Sequence, residues 1–297
     1  MNIKEISVIG AGTMGNGIAH VFAQSGYSVT LIDREQSPLD KALARIAKNM
    51  DRQINKGKLS EGDKENALQR ITTSTDIAQG VATADVVIEV VSENMAVKEA
   101  VLSAVDAAAK EDAIIASNTS SISITKLASF TNRPERFIGM HFMNPVPVMK
   151  LIEVIRGYAT SQETMDTILT LSKAIGKVPV EANDYPGFVA NRILIPMINE
   201  AIYTLHEGVA GVEEIDTVMM LGMAHPMGPL HLADFIGLDV VLSIANVLYD
   251  GFGQGKYAPC PLLVNMVNAG KLGAKTGEGF YVYTPGSKDK TVSPQFK

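Results

Sequence analysis

Two residues of this chain have the side-chain types and the setting for moving a proton. His141 ends the strand-like run Arg-Phe-Ile-Gly-Met-His at 136–141, and Glu153 lies within Leu-Ile-Glu-Val-Ile at 151–155. A carboxylate with apolar neighbours on both sides must find a partner, because burying an ionised carboxyl alone is costly. Pairing it with His141 would fix the imidazole tautomer and stabilise the imidazolium formed when the ring takes up a proton. The competing reading of His141 is a structural histidine at a strand end. His20, His206, His225 and His231 read as packed or solvated. The loop Ser117-Asn118-Thr119-Ser120-Ser121 follows another strand-like run and offers hydroxyls and amides, which ordinary loop chemistry explains equally well. Asn191, just inside a later helical stretch, is a further polar candidate. No cluster has metal-ligand spacing, and no nucleophile elbow is present.

Near the amino end stands Gly10-Ala11-Gly12-Thr13-Met14-Gly15, between the run Glu-Ile-Ser-Val-Ile and a helical pattern reaching about Gln24. Gly10 allows a tight turn, Gly12 lets the backbone approach a pyrophosphate, and Gly15 lets helix and strand pack closely. The pyrophosphate would lie at the helix N-terminus, against unpaired N–H groups. Asp33 closes the next strand-like run, where an acid accepts hydrogen bonds from a ribose. A carboxylate there favours NAD over NADP, while the guanidinium of Arg34 is positioned to take a 2′-phosphate. The alternative is a glycine turn without a ligand. With a dinucleotide bound, the chemistry becomes hydride transfer from an alcohol: it needs a base for the hydroxyl proton and donors for the developing carbonyl.

These groups must be carried by an ordered frame. Strand-like runs at 5–9, 28–32, 85–91, 113–117, 136–141 and 151–155 are mostly separated by helical patterns. That alternation predicts a doubly wound, mainly parallel α/β sheet covered on both faces. A helix at 162–176 and a short strand at 178–181 follow, and beyond Pro186-Gly187 the chain reads as helices at 188–207, 212–221, 229–250 and 261–270. Pro196 is expected to kink the first of these, and the tail from Thr284 to fray. The boundary is placed so that residues 1–184 form one domain and 185–297 an all-α one.

Composition narrows the classes. With 297 residues, 46% of them hydrophobic, the chain can bury a sizeable core, and its 14 Met and few aromatics make that core largely aliphatic. A net charge of -6 argues against nucleic acid and anionic membranes as partners. The single Cys260 cannot form an internal disulfide, and no leader pattern or bilayer-length apolar run is evident, so a cytoplasmic location is expected. One feature runs against the acidic background. The helical stretch 38–57 carries Leu39, Leu43, Ile46, Met50 and Ile54 on one face and Lys41, Arg45, Lys48, Arg52 and Lys56 on the opposite one. That basic face is either a solvated surface or a dock for the phosphates of an acidic substrate handle.

In order along the chain, GAGTMGNGIAHVFAQSGY, VVIEVVSENMAVK, SNTSSISI, GMHFMNPVPVMKLIEVI, DYPGFVANRIL, HPMGPLHLADFIGLD and KTGEGFY resemble the 3-hydroxyacyl-CoA dehydrogenase family, especially its bacterial short-chain branch, from about residue 3 to 283. The resemblance implies a Rossmann-type NAD-binding domain, a helical C-terminal domain that completes the substrate site and makes a homodimer, and no fused hydratase domain. It implies reversible oxidation of an (S)-3-hydroxyacyl-CoA in fatty-acid or butyrate metabolism. On the matching positions, His141 is the base and Glu153 its orienting acid, and Ser120 and Asn191 contact the substrate near its reacting carbons. Glu93, Lys98, Asn118, Ser120, Asn144 and Lys275 line the cofactor site together with the glycine turn and Asp33. Lys56 contacts the CoA portion, as does Asn49, where the family often has Ser. Two rivals differ in kind: a dehydrogenase of free β-hydroxy acids, which typically uses a Lys in place of the His–Glu pair, and a non-catalytic nucleotide-binding relative.

Overall fold

The structure is a computed structural model in which residues 3–284, 286 and 289–297 are described. It divides into two compact units, Met1–Phe188 and Val189–Lys297.

In the first unit the strands are β1 (Glu5–Ile9), β2 (Ser28–Ile32), β3 (Ile71–Ser74), β4 (Val86–Glu89), β5 (Ile114–Ser117), β6 (Phe137–Phe142), β7 (Leu151–Arg156) and β8 (Val178–Asn183). They form one sheet in the order β3-β2-β1-β4-β5-β6-β7-β8. All neighbouring pairs are parallel except β6 and β7. The helices are α1 (Thr13–Gln24), α2 (Gln36–Ile54), α3 (Glu61–Gln69), α4 (Ile77–Val81), α5 (Met95–Ala108), α6 (Ile124–Ala128) and α7 (Gln162–Ala174). Strands β4, β5 and β6 are buried along their whole length, as strands covered on both faces must be. The strand order reverses between β1 and β4, so a crevice opens beyond their carboxyl ends, at Ile9 and Glu89.

The antiparallel β6–β7 pair has a simple cause. The segment between Phe142 and Leu151 is too short for a crossover helix, so the chain must turn back on itself. That segment contains a cis Asn144–Pro145 peptide bond.

The stretch between α2 and β4, with α3, β3 and α4, escaped the sequence reading. Helix α3 buries Ala67 alone and has no apolar stripe; a capping box between Ser60 and Asp63 starts it. Strand β3, Ile-Thr-Thr-Ser, is a short edge strand whose polar residues do not form an apolar run.

The second unit contains α8 (Ala190–His206), α9 (Val212–Thr217), α10 (Pro229–Ile236), α11 (Leu238–Phe252) and α12 (Pro261–Asn268), with a hairpin of β9 (Tyr281–Tyr283) and β10 (Lys290–Val292). Helix α8 continues through Pro196, although the ring removes one backbone donor. The single helix expected at 212–221 is α9 followed by a π-helical turn at Val218–Gly222. The single helix expected at 229–250 is two, bent by 99° at Gly237, whose φ of 102° a side chain would disfavour. The tail expected to fray from Thr284 is ordered beyond residue 288: β10 pairs with β9, and Phe296 stacks on Phe280 at 5.7 Å. Within the expected tail, residues 285, 287 and 288 lie outside the described residues. Among the described residues no single helix is long and apolar enough to cross a membrane.

Candidate active site

The glycine turn meets its steric demands one residue at a time. A Cβ at Gly10 would stand 2.6 Å from the Val90 carbonyl oxygen, and one at Gly15 only 1.7 Å from the Gly10 oxygen. A Cβ at Gly12 would meet nothing within 4 Å, and Gly12 and Thr13 are exposed. So Gly10 and Gly15 are required by the protein's own packing, whereas Gly12 faces open space. Helix α1 starts there with no side-chain cap and no acid in its first turn. Its first N–H groups and positive dipole end therefore face outward, as a pyrophosphate requires. Ala11 and Met14 are buried and half-buried beside the turn. Asp33, at the end of β2, braces the turn by accepting the Ala11 N–H at 2.8 Å. Arg34 is highly exposed and pairs with Glu35 at 3.5 Å. The open backbone at Gly12, the uncapped helix and the neighbouring acid suit a dinucleotide.

His141 and Glu153 lie directly opposite each other in the β6–β7 register. His141 Nδ1 is 2.8 Å from Glu153 Oε2, and both residues are buried. With Glu153 accepting from Nδ1, Nε2 is left as the basic nitrogen. The phenyl ring of Phe188 packs against the imidazole, with centroids 6.0 Å apart. Phe188 has a φ of 49°, rare for an aromatic residue, and follows Gly187 at 74°. This turn in Asp184-Tyr185-Pro186-Gly187-Phe188 is what puts the ring there. Asp184 anchors the same turn by accepting from Ser123 Oγ and from the backbone of Ile124 and Thr125.

The third group is a polar network at the ends of β4 and β5. Lys98, on α5, reaches both oxygens of Glu89, at 2.8 and 2.9 Å, and Glu93 at 3.2 Å. Glu93 in turn accepts from Thr119 Oγ1 and the Ser120 backbone, each at 2.8 Å, and from Ser120 Oγ at 3.3 Å. Asn118 accepts from the Phe142 backbone at 2.9 Å and so ties the Ser loop to the end of β6. Asn144 is exposed in the segment after His141. Buried Lys177 donates to the Val146 and Met149 carbonyl oxygens of that segment, the second at 2.7 Å, and burial lowers its pKa. Glu89 was missed in the sequence reading. Its signal was the one that marked Glu153, a lone acid inside an apolar run.

Helix α2 buries Leu39, Ala42, Ile46 and Met50, while Lys41, Arg45, Lys48, Arg52 and Lys56 are exposed. Half-buried Asn49 accepts from Arg52 at 3.3 Å, and Arg45 approaches the Thr13 hydroxyl at 3.4 Å, beside the α1 N-terminus. His20, inside α1, is wholly buried; burial pushes its pKa down to about 4, partly opposed by its hydrogen bond to Gln24 at 2.9 Å.

In the second unit Asn191 is buried in the first turn of α8. Lys275 pairs with Asp239 at the α10–α11 bend. The Lys-Thr-Gly-Glu-Gly-Phe-Tyr segment wraps buried Asp234, which accepts from the backbone of Phe280 at 3.0 Å and of Tyr281 at 2.9 Å. A Cβ at Gly279 would stand 1.9 Å from that carboxylate, so the glycine is what lets the backbone close on it.

A switch-point crevice, an open glycine turn with its acid, and a buried His–Glu pair describe a dinucleotide-dependent dehydrogenase. Residues 5–185 match the family model of the 3-hydroxyacyl-CoA dehydrogenase NAD binding domain, and residues 187–283 match that of its C-terminal domain. The chain belongs to the 3-hydroxyacyl-CoA dehydrogenase family; it is an oxidoreductase, and its cofactor is NAD. It is 52% identical over 279 residues to 3-hydroxybutyryl-CoA dehydrogenase of Clostridioides difficile, covering 94% of this chain and 99% of that one. It is 53% identical over 281 residues to that of Bradyrhizobium diazoefficiens, covering 95% and 96%. The crystal structure of (S)-3-hydroxybutyryl-CoA dehydrogenase from Ralstonia eutropha superposes with a TM-score of 0.93 at 52% identity, covering 95% of this chain and all of that one.

Proposed function

We propose that this enzyme interconverts (S)-3-hydroxybutyryl-CoA and acetoacetyl-CoA, with His141 as general base and Glu153 as its orienting acid. The observation that carries the proposal is the buried 2.8 Å His141–Glu153 contact near the carboxyl ends of the parallel strands. Among related proteins of this size, the short-chain CoA ester is the substrate named for relatives more than 50% identical over nearly the whole chain.

His141 Nε2 takes the proton of the substrate's 3-hydroxyl as the C3–O bond becomes a carbonyl. NAD⁺ supplies the hydride acceptor when bound. Glu153 keeps Nδ1–H oriented and offsets the positive charge that develops on the ring. In reverse, the imidazolium returns its proton to the carbonyl oxygen. Ser120 and Asn191 are assigned to the substrate near its reacting carbons by their match to the family pattern. Glu93, Lys98, Asn118, Asn144 and Lys275 are assigned on the same basis to the cofactor. The exposed cations of α2, Asn49, and above all Lys56 in the turn just past the end of α2, are assigned to the CoA handle, whose phosphates suit them.

The first unit is the NAD-binding domain in this reading. The second shapes the substrate site and makes a homodimer, to which its exposed Leu221, Met223 and Phe235 are suited. The enzyme is expected to work in the cytoplasm.

The test is loss of absorbance at the reduced-nicotinamide band with acetoacetyl-CoA and NADH or NADPH in parallel. Rapid loss with NADH, slow loss with NADPH and none with free acetoacetate are expected. Faster turnover of the free acid would refute the CoA ester as substrate, and folded protein that binds NADH but turns over no acyl-CoA would refute the enzyme reading.

A further inference from the structure

We propose that Glu89 is a positioning residue for the substrate-binding loop, acting on Ser120 through Lys98 and Glu93. The proposal rests on the reading of Ser120 as a substrate contact.

Glu89 ends β4 at the switch point and is 0% exposed, so it is shut off from any ligand in the crevice. Both of its oxygens are engaged twice. Oε1 accepts from Lys98 at 2.8 Å and the Val91 backbone at 2.7 Å, and Oε2 from Lys98 at 2.9 Å and Ser117 Oγ at 2.6 Å. The carboxylate is therefore fixed in one orientation.

Lys98 is 1% exposed, yet its ammonium sits on a flexible four-carbon stem. Glu89 engages it from one side, leaving Glu93 Oε2 at 3.2 Å on another. Glu93 is a partly exposed surface acid that would otherwise sample several rotamers. Held by Lys98, it presents Oε1 to Thr119 and to both polar groups of Ser120. The contacts thus run Glu89, Lys98, Glu93, Ser120, from the closed interior to the mouth of the site.

Exchanging Glu89 for Gln removes one of two negative charges that share Lys98. Lys98 then loses the charged anchor that fixes its ammonium, the ammonium shifts, and Glu93, which it holds, shifts with it off the Ser120 loop. Because the effect travels through Ser120, it should vanish once the Ser120 hydroxyl is gone.

The experiment is a double-mutant cycle of Glu89→Gln with Ser120→Ala in the full-length enzyme. It reads kcat and KM for acetoacetyl-CoA, the NADH dissociation constant by fluorescence, and the melting temperature. Glu89→Gln alone should lower kcat/KM about tenfold, the scale of a small misplacement of a substrate-binding group. The double variant should fall within about threefold of Ser120→Ala alone, since coupled residues in one network are not additive. Multiplication of the two losses would overturn the proposal and leave Glu89 with a general structural role. So would a loss confined to NADH affinity. If Glu89→Gln does not fold, Glu89→Asp takes its place in the cycle, because it keeps the charge while withdrawing the carboxylate from Lys98 and Ser117. Coupling to Ser120→Ala then supports the proposal, and multiplicative losses overturn it. Full activity in Ser120→Ala itself would instead overturn the substrate role of Ser120, and this inference with it.

Discussion

Replacing Glu153 by Gln leaves the shape of the His141 pair and removes its charge. The amide oxygen can still accept the Nδ1–H, so Nε2 remains the basic nitrogen and the tautomer is kept. What is lost is the interaction of a carboxylate with an imidazolium formed as the proton arrives. The contact is 2.8 Å between Nδ1 and Oε2, in a buried setting. For charge centres about 4 Å apart at an effective permittivity of about 20, the full interaction is about 4 kcal/mol. With the ring about half protonated in the transition state, about 2 kcal/mol is lost, or about thirtyfold in rate. The assay is the single-turnover rate of (S)-3-hydroxybutyryl-CoA oxidation by NAD⁺, the direction in which the ring gains the proton; it separates chemistry from product release, with NAD⁺ affinity measured beside it. His141→Ala, which removes the base itself, should cost about 10² to 10⁴ in the same assay. Glu153→Gln within about twofold of the parent would refute the charge argument, and a loss equal to that of His141→Ala would show that the tautomer had not been kept.

Three further outcomes follow from the geometry. Gly12→Ala should leave the urea midpoint of the free protein nearly unchanged, since its Cβ meets nothing within 4 Å, yet weaken NADH at least about tenfold by filling the pyrophosphate approach. Gly15→Ala, with a Cβ 1.7 Å from the Gly10 oxygen, should lose about 3 kcal/mol or more of stability, and equal melting curves for the two variants would refute this division of roles. Asp33→Ala should lower NADH affinity about ten- to a hundredfold and shrink the preference over NADPH; an unchanged ratio would remove Asp33 from the discrimination.

A pH prediction concerns His20. Burial lowers its folded pKa from 6.5 to about 4, so its contribution to stability is present above pH 6.5 and is lost as pH falls through the interval down to about 4. Between pH 7.5 and 5 the loss is about 2 kcal/mol from this residue. Urea titrations of parent and His20→Gln across that range check it, and parallel slopes would sink the assignment.

Much of the site is local in origin and so was legible in the sequence. The glycine turn, the start of α1 and the acid at the end of β2 are set by steric demands and hydrogen bonds between residues near one another along the chain. The two faces of α2 follow from helical spacing, and the alternation of strands and helices from hydrophobic period. Glu153 stood out because a lone acid in an apolar run must be paired, and His141 because it closed a strand. Only the fold decided that the two residues meet. Strand β7 runs back along β6, and that reversal sets His141 and Glu153 in register. Register belongs to a pair of strands, so no single run of residues encodes it. The same holds for Glu89, whose partners Lys98 and Ser117 come from α5 and β5. The bend at Gly237 and the closed tail were misread for a related reason: α10 and the Lys-Thr-Gly-Glu-Gly-Phe-Tyr segment are joined by Asp234, far apart in the chain. Periodicity reports which face of an element is buried, whereas long-range hydrogen bonds and close packing decide what it is buried against.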